Sequence, residues 1–114
     1  MSLEWGGILF DGPYPIKRWE SLSNSGIYAI MKKPDAYNKP HTYHILYFGE
    51  SENLFELKAY KSCPKYECWV KEASSKYNIY IGAHLMPNST SEKRKNLLDA
   101  LIKTFNPVCN VEKE

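Results

Sequence analysis

The chain has little arginine: Arg18 and Arg94 are the only two among fifteen basic residues. A site that needs a planar, bidentate fork for phosphate or carboxylate therefore has few candidates. Charge of one sign is also missing, because fifteen Lys and Arg against thirteen Asp and Glu leave a net charge of +2. That is too small an excess to announce nucleic acid as a partner by itself. No uninterrupted apolar run approaches the roughly 18 residues that cross a bilayer, and the first residues lack a basic stretch followed by an apolar one. No membrane association is expected, and the cytoplasm is the expected location. Cysteine is scarce and odd in number: Cys63, Cys68 and Cys109. Without a secretion signal these predict reduced thiols rather than a disulfide framework. Their spacing, even with His84, matches no recognised finger, so no zinc site is expected and Cys68 is assigned to packing around Trp69.

What is present is an ordinary globular balance, 43% hydrophobic and 25% charged, with an aromatic surplus of nine Tyr, three Trp and four Phe. A length of 114 residues predicts one domain with a core of its own. Gly26 to Met31 and His44 to Gly49 are short runs of β-branched and aromatic residues, separated by Lys32, Lys33, Pro34, Asp35, Asn38, Lys39 and Pro40. They predict two antiparallel strands joined by a loop. A third strand is predicted over Asn78 to Met86, where Ile79, Ile81, Ala83 and Leu85 alternate with Tyr80, Gly82, His84 and Met86. Ser51 is a plausible N-cap for a short helix ending by Cys63. A second helix starting at Pro64 places Tyr66, Trp69, Val70 and Ala73 on one stripe. A third follows Asn88-Ser89-Thr90-Ser91, carries Leu97, Leu98, Leu101, Ile102 and Phe105 on one face, and stops before Pro107. Towards the N-terminus, Trp5, Ile8, Leu9 and Phe10 suggest an extra edge strand, broken by Gly12, Pro13 and Pro15. Met1-Ser2-Leu3 is set aside as a leader.

The order strand, strand, helix, helix, strand, helix, with Gly26-Ile27-Tyr28 in the first strand and Tyr47-Phe48-Gly49 closing the second, resembles the GIY-YIG endonuclease family. The run Tyr47 to Leu54 is similar to that family's second strand entering its first helix. Leu101 to Asn110 is similar to its closing Leu-Ile helix followed by Pro and Asn. Cys68-Trp69 and the third strand resemble a bacterial branch of small single-domain members. The literal Tyr80-Ile81-Gly82 is set aside, since the two motifs should lie on neighbouring strands and Tyr80 follows Tyr28 by more than fifty residues; Tyr80 is expected to be an exposed strand aromatic. The resemblance covers about residues 25 to 110 and implies magnesium-dependent phosphodiester cleavage, in which two Tyr position and deprotonate water, an Arg neutralises phosphate charge and a Glu holds the cation.

Tyr28, Tyr47 and Asn110 fall on the family's two Tyr positions and its closing Asn. The Arg position, eight residues after Gly49, is Leu57, and the Glu position, three before Leu101, is Leu98. Nearby Glu50, Glu56 and Asp99 are weighed as substitute metal ligands, and Lys58 and Arg94 as substitute cations; for Glu56 and Asp99, one residue along a helix is a rotation of about 100°. Two apolar replacements avoid leaving one charge without its partner, which predicts Leu57 and Leu98 packed against each other across the former metal site, each stabilising by about 1.5 to 3 kcal/mol.

The resulting expectation is a small α+β domain whose mainly antiparallel sheet is flanked by helices: residues 1–24 an N-terminal extension packing on the domain, 25–110 the GIY-YIG-like domain, 111–114 a tail. Its function is that of a degenerate, inactive or impaired nuclease, with no cofactor unless magnesium serves an active site, and with DNA as a possible partner. Alternatives are an active magnesium-dependent endonuclease using the substitute residues, and a protein-interaction module. Lys32, Lys33, Lys58, Lys61 and Arg94 are the nucleic-acid-binding candidates; Lys32, Lys33 and Lys39, with Lys58, Lys61 and Lys65, would form a rim interleaved with Tyr37, Tyr43, Tyr60 and Tyr66. His41 and His44 carry no catalytic expectation; for His84, on the third strand, a solvent-facing position is favoured over one on the sheet's active face.

Overall fold

A computed structural model describes residues 2–20, 23–33 and 43–110. The loop residues 34–42, which include Tyr37, Lys39 and His41, and the tail 111–114 lie outside the described residues, as do 21–22 and residue 1. The fold is α+β, with five antiparallel strands in the order β1-β2-β5-β3-β4. Their bounds are Ser2–Trp5 for β1, Ile8–Pro15 for β2, Gly26–Lys32 for β3, His44–Ser51 for β4 and Tyr80–Leu85 for β5. A 3-10 turn at Ile16–Arg18 follows β2, a longer 3-10 segment at Leu54–Ser62 follows β4, and two α-helices, Tyr66–Ala73 (α1) and Ser91–Phe105 (α2), flank β5 in sequence.

Each predicted element of the central region is present. β3 is buried from Gly26 to Met31, as a strand paired on both edges and covered on both faces must be. Thr90 caps α2 by accepting from the Lys93 amide at 3.2 Å, and the left-handed Asn106 closes it before Pro107. The helix after β4 is shorter and tighter than its pattern predicts. The Ser51 hydroxyl accepts from the Asn53 amide and donates towards Glu56, so Asn53 becomes the cap; the bent backbone at Ala59 then keeps the segment from continuing as an α-helix.

The N-terminal residues form two strands instead of one. Gly6 and Gly7 both have positive φ, the two-residue turn whose twist suits a hairpin, and β2 continues inward to pair with β5. Gly12 and Pro13 sit where the β2–β5 register shifts between Asp11 and Tyr14, so the strand bulges where the sequence suggests a break. Ser2 and Leu3 pair with Asp11 and Phe10 in the sheet.

Two apolar layers sandwich the sheet. On one face Tyr28, Ile30, Leu46, Ile79, Ile81 and Ala83 meet Leu54, Leu57 and the fully buried Trp69 of α1. On the other, Ile27, Ala29, Met31 and Phe48 meet Phe10 and Leu101, with Leu97, Leu98, Ile102 and Phe105 of α2 packed around them. The thiols depart from expectation: Cys68 and Cys109 form a disulfide joining α1 to the turn after α2, leaving Cys63 as the free cysteine. The two positions are 41 residues apart in sequence and meet only because both layers close on β4.

Candidate functional site

Tyr28 and Tyr47 lie side by side on the α1 face of the β3–β4 pair, with ring centroids 6.0 Å apart. Register explains this. Tyr28 is opposite Gly49 and Tyr47 is opposite Ile30, while the extra residue Leu46 bulges β4 between Ile30 and Met31. The bulge leaves both Leu46 and Tyr47 on the same face, where Tyr47 packs 5.6 Å from Trp69. The motif glycines have a physical role. A Cβ at Gly49 would fall within the ring of Tyr28, and one at Gly26 would strike the His84 carbonyl, so the strands close only around bare α-carbons.

Tyr28 forms part of the wall of a cavity of about 310 Å³ together with Glu50, Ser51, Glu56, Leu57 and Cys63. Burial, foremost, pushes the Tyr28 phenol well above its ordinary 10.0; the Tyr47 phenol, the Cys63 thiol and the Glu50 carboxylate add to the shift. Tyr47 is raised as well, mainly by burial. Both phenols hold their protons at neutral pH, which suits hydrogen-bond donation and opposes a role as general base. The Cys63 thiol is raised by burial too, so it is a poor nucleophile.

The apolar plug across a former metal site is not formed. Leu57 is buried in the layer beneath Tyr28, whereas Leu98 packs in the α2 layer on the opposite face of the sheet. Asp99 is exposed on that same helix. Arg94 departs further from expectation, because it is 1% exposed and cannot belong to a surface rim. Its Nε donates to Glu50 Oε2 at 2.8 Å, and its Nη1 donates to the Ser89 carbonyl at 2.7 Å and to the Ser89 hydroxyl oxygen at 3.0 Å. The guanidinium thus ties the start of α2 to the end of β4.

Magnesium fits this donor set poorly. Glu50 is engaged by a buried cation that would repel a divalent ion, Glu56 is an exposed carboxylate accepting from Ser51, and Leu57 supplies no oxygen. No group of three His, Cys, Asp or Glu suited to a metal occurs among the described residues. No family model, curated protein or solved structure matches this chain.

Asn110 pins the chain after α2 to the outer edge of β4. Its Oδ1 accepts from the Phe48 amide at 2.8 Å and its Nδ2 donates to the Phe48 carbonyl at 2.9 Å, while the Cys109 amide donates to the Leu46 carbonyl at 2.9 Å. The side-chain amide acts as a short stretch of partner strand. It ties the tail down through β4 backbone, with neither Tyr28 nor Tyr47 among its partners.

The remaining basic candidates do different work. Lys32 donates to the Glu72 carbonyl at 2.8 Å in the last turn of α1, a favourable place for a cation. Lys33 lies over the rings of Tyr43 and Tyr80, so Tyr80 is half-buried rather than an exposed strand aromatic. His84 turns to the Leu9 carbonyl at 3.0 Å. Lys58 and Lys61 are exposed on the segment after β4. Lys58 borders a groove with Lys17, Arg18 and Tyr60, residues of which only Lys58 and Tyr60 enter the sequence-based rim. The scarcity of arginine was the signal that could have found this groove, because with Arg94 buried it is Arg18 that presents a guanidinium to solvent.

Proposed function

We propose that this chain is a GIY-YIG-like nuclease-fold protein that binds nucleic acid and has little or no hydrolytic activity. One observation carries the reading: Tyr28 of the adjacent-strand Tyr28–Tyr47 pair lines a cavity, and Leu57 stands in its wall at the position where the resemblance implies an Arg. Both phenols are held protonated, and the buried Arg94 is committed to Glu50 and Ser89. Neither a base to activate water nor a mobile cation to receive developing phosphate charge is thereby supplied, and these are the two contributions that phosphodiester cleavage demands. Supercoiled plasmid incubated with magnesium or manganese should show no nicking above the buffer control. Nicking that disappears in Tyr28→Phe would overturn the inactive reading and restore an active endonuclease.

A further inference from the structure

A concentration of cations and aromatics lies outside the tyrosine cavity, around the turn Ile16–Arg18. Two grooves of about 260 and 290 Å³ flank this turn and share Ile16, Lys17 and Arg18. Lys58, Tyr60 and the single acid Glu20 border the first groove; Lys76, Tyr77 and Tyr80 border the second. Tyr77 is 69% exposed, with the ammonium groups of both Lys17 and Lys76 placed 5.3 Å from its ring centroid. Arg18 is exposed, in contrast to Arg94.

We propose that this surface binds single-stranded nucleic acid, with phosphates received by Arg18, Lys17, Lys58 and Lys76 and a base stacked on Tyr77. This assignment rests on the nucleic-acid-binding reading above and gives it a location. Charge complementarity selects a polyanion, since four cations surround the two grooves against one carboxylate. Arg18 adds the planar fork that suits a phosphate. The aromatic selects a single strand, because stacking needs an unpaired base, whereas contacts to a duplex backbone make no use of an exposed ring. The exchange at the ring is near balance: the two exposed cation–π contacts together contribute about 1 to 2 kcal/mol and base stacking about 1 to 3, so the gain comes from the phosphate contacts that follow. A base displacing the ammonium groups from the ring frees them for phosphate. The segment Leu54–Ser62 joins this surface to the tyrosine cavity, giving Lys58 and Tyr60 to one and Glu56 and Leu57 to the other.

The test is fluorescence anisotropy with a labelled oligo(dT) and a mixed-sequence duplex of equal length across a salt series, using wild type, Arg18→Gln, Tyr77→Ala and the control Lys95→Gln on the exposed side of α2. All three substituted positions are exposed, and circular dichroism verifies an unchanged fold. Wild type is expected to bind the single strand more tightly than the duplex. Tyr77→Ala should weaken single-strand binding between about five- and a hundredfold. Arg18→Gln should weaken it and reduce the log–log salt slope by about 0.7, the value for one lost phosphate contact, while Lys95→Gln behaves as wild type. Binding that Arg18→Gln and Tyr77→Ala leave unchanged would overturn this surface yet retain nucleic-acid binding, as would preference for the duplex. No binding of either probe at low salt would overturn both.

Discussion

Gly49 and Tyr28 are best understood as one object, since the ring of Tyr28 occupies the space that any side chain at position 49 would take. Gly49→Ala is expected to cost about 1 to 3 kcal/mol by overpacking a buried strand pair. In Tyr28→Leu, whose shorter side chain vacates that space, the same substitution should cost less, giving a coupling energy of at least about 0.5 kcal/mol in urea titrations of the double-mutant cycle. Additive effects would place the strain elsewhere. Arg94 makes the opposite point. Its type and its position on α2 suggest a solvent-facing cation, but Glu50 and Ser89 satisfy its guanidinium inside the protein. A buried, paired cation of this kind anchors two elements and presents no free face to a ligand. Nothing in the sequence pairs position 94 with position 50, because the pairing depends on where α2 crosses the end of β4.

At the scale of elements, β4 illustrates how an edge strand is protected. Its outer edge is closed by the Cys109 amide and the Asn110 side chain, and the Cys68–Cys109 disulfide fastens that closure to α1. An unpaired edge would otherwise invite another strand. Cys109→Ser is expected to lower stability by about 2 to 4 kcal/mol, and adding a reductant to wild type should reproduce that loss in urea titrations. A reductant without effect would show that the tail holds by its hydrogen bonds alone. The predicted strands over 26–31 and 44–49, the third strand and the last helix were legible because their apolar periodicity matches one or two buried faces. The N-terminal hairpin was less legible: Gly12, Pro13 and Pro15 read as breakers, although a bulge lets β2 pass through them. Gly6-Gly7 carried the better signal, two turn residues between short apolar runs.

For the whole molecule, the two-layer architecture decides which parts of the motif pattern meet. Tyr28 and Tyr47 share the α1 face, while Leu57 and Leu98 are separated by the sheet itself. Burial of the tyrosine pair also sets a pH dependence. Above the ordinary tyrosine value of 10.0 the unfolded chain ionises Tyr28, whereas the folded protein keeps it protonated, so the unfolded state binds fewer protons and stability falls as pH rises. The urea midpoint should therefore decline between about pH 9 and 11, and Tyr28→Phe should decline less steeply. Parallel curves for the two proteins would mean that Tyr28 ionises equally in both states. The described helices are α1 and α2 and the two 3-10 segments, and none is long and apolar enough to cross a membrane.

Local composition and periodicity by themselves determined the α+β class, the neighbouring tyrosine-bearing strands, the Trp69 stripe of α1 and the capped, amphipathic α2. These follow from interactions between residues close in the chain, and short-range chemistry can be read from a single sequence. Only the tertiary structure decided the fate of the two arginines, the separation of Leu57 from Leu98 and the joining of Cys68 to Cys109. Each of these depends on which sheet face a helix covers and on where a distant segment returns. Arginine, scarce in the sequence, is divided by the fold into one residue locked in the interior and one exposed between two grooves, because burial requires a satisfied partner and position 94 has Glu50 while position 18 faces solvent.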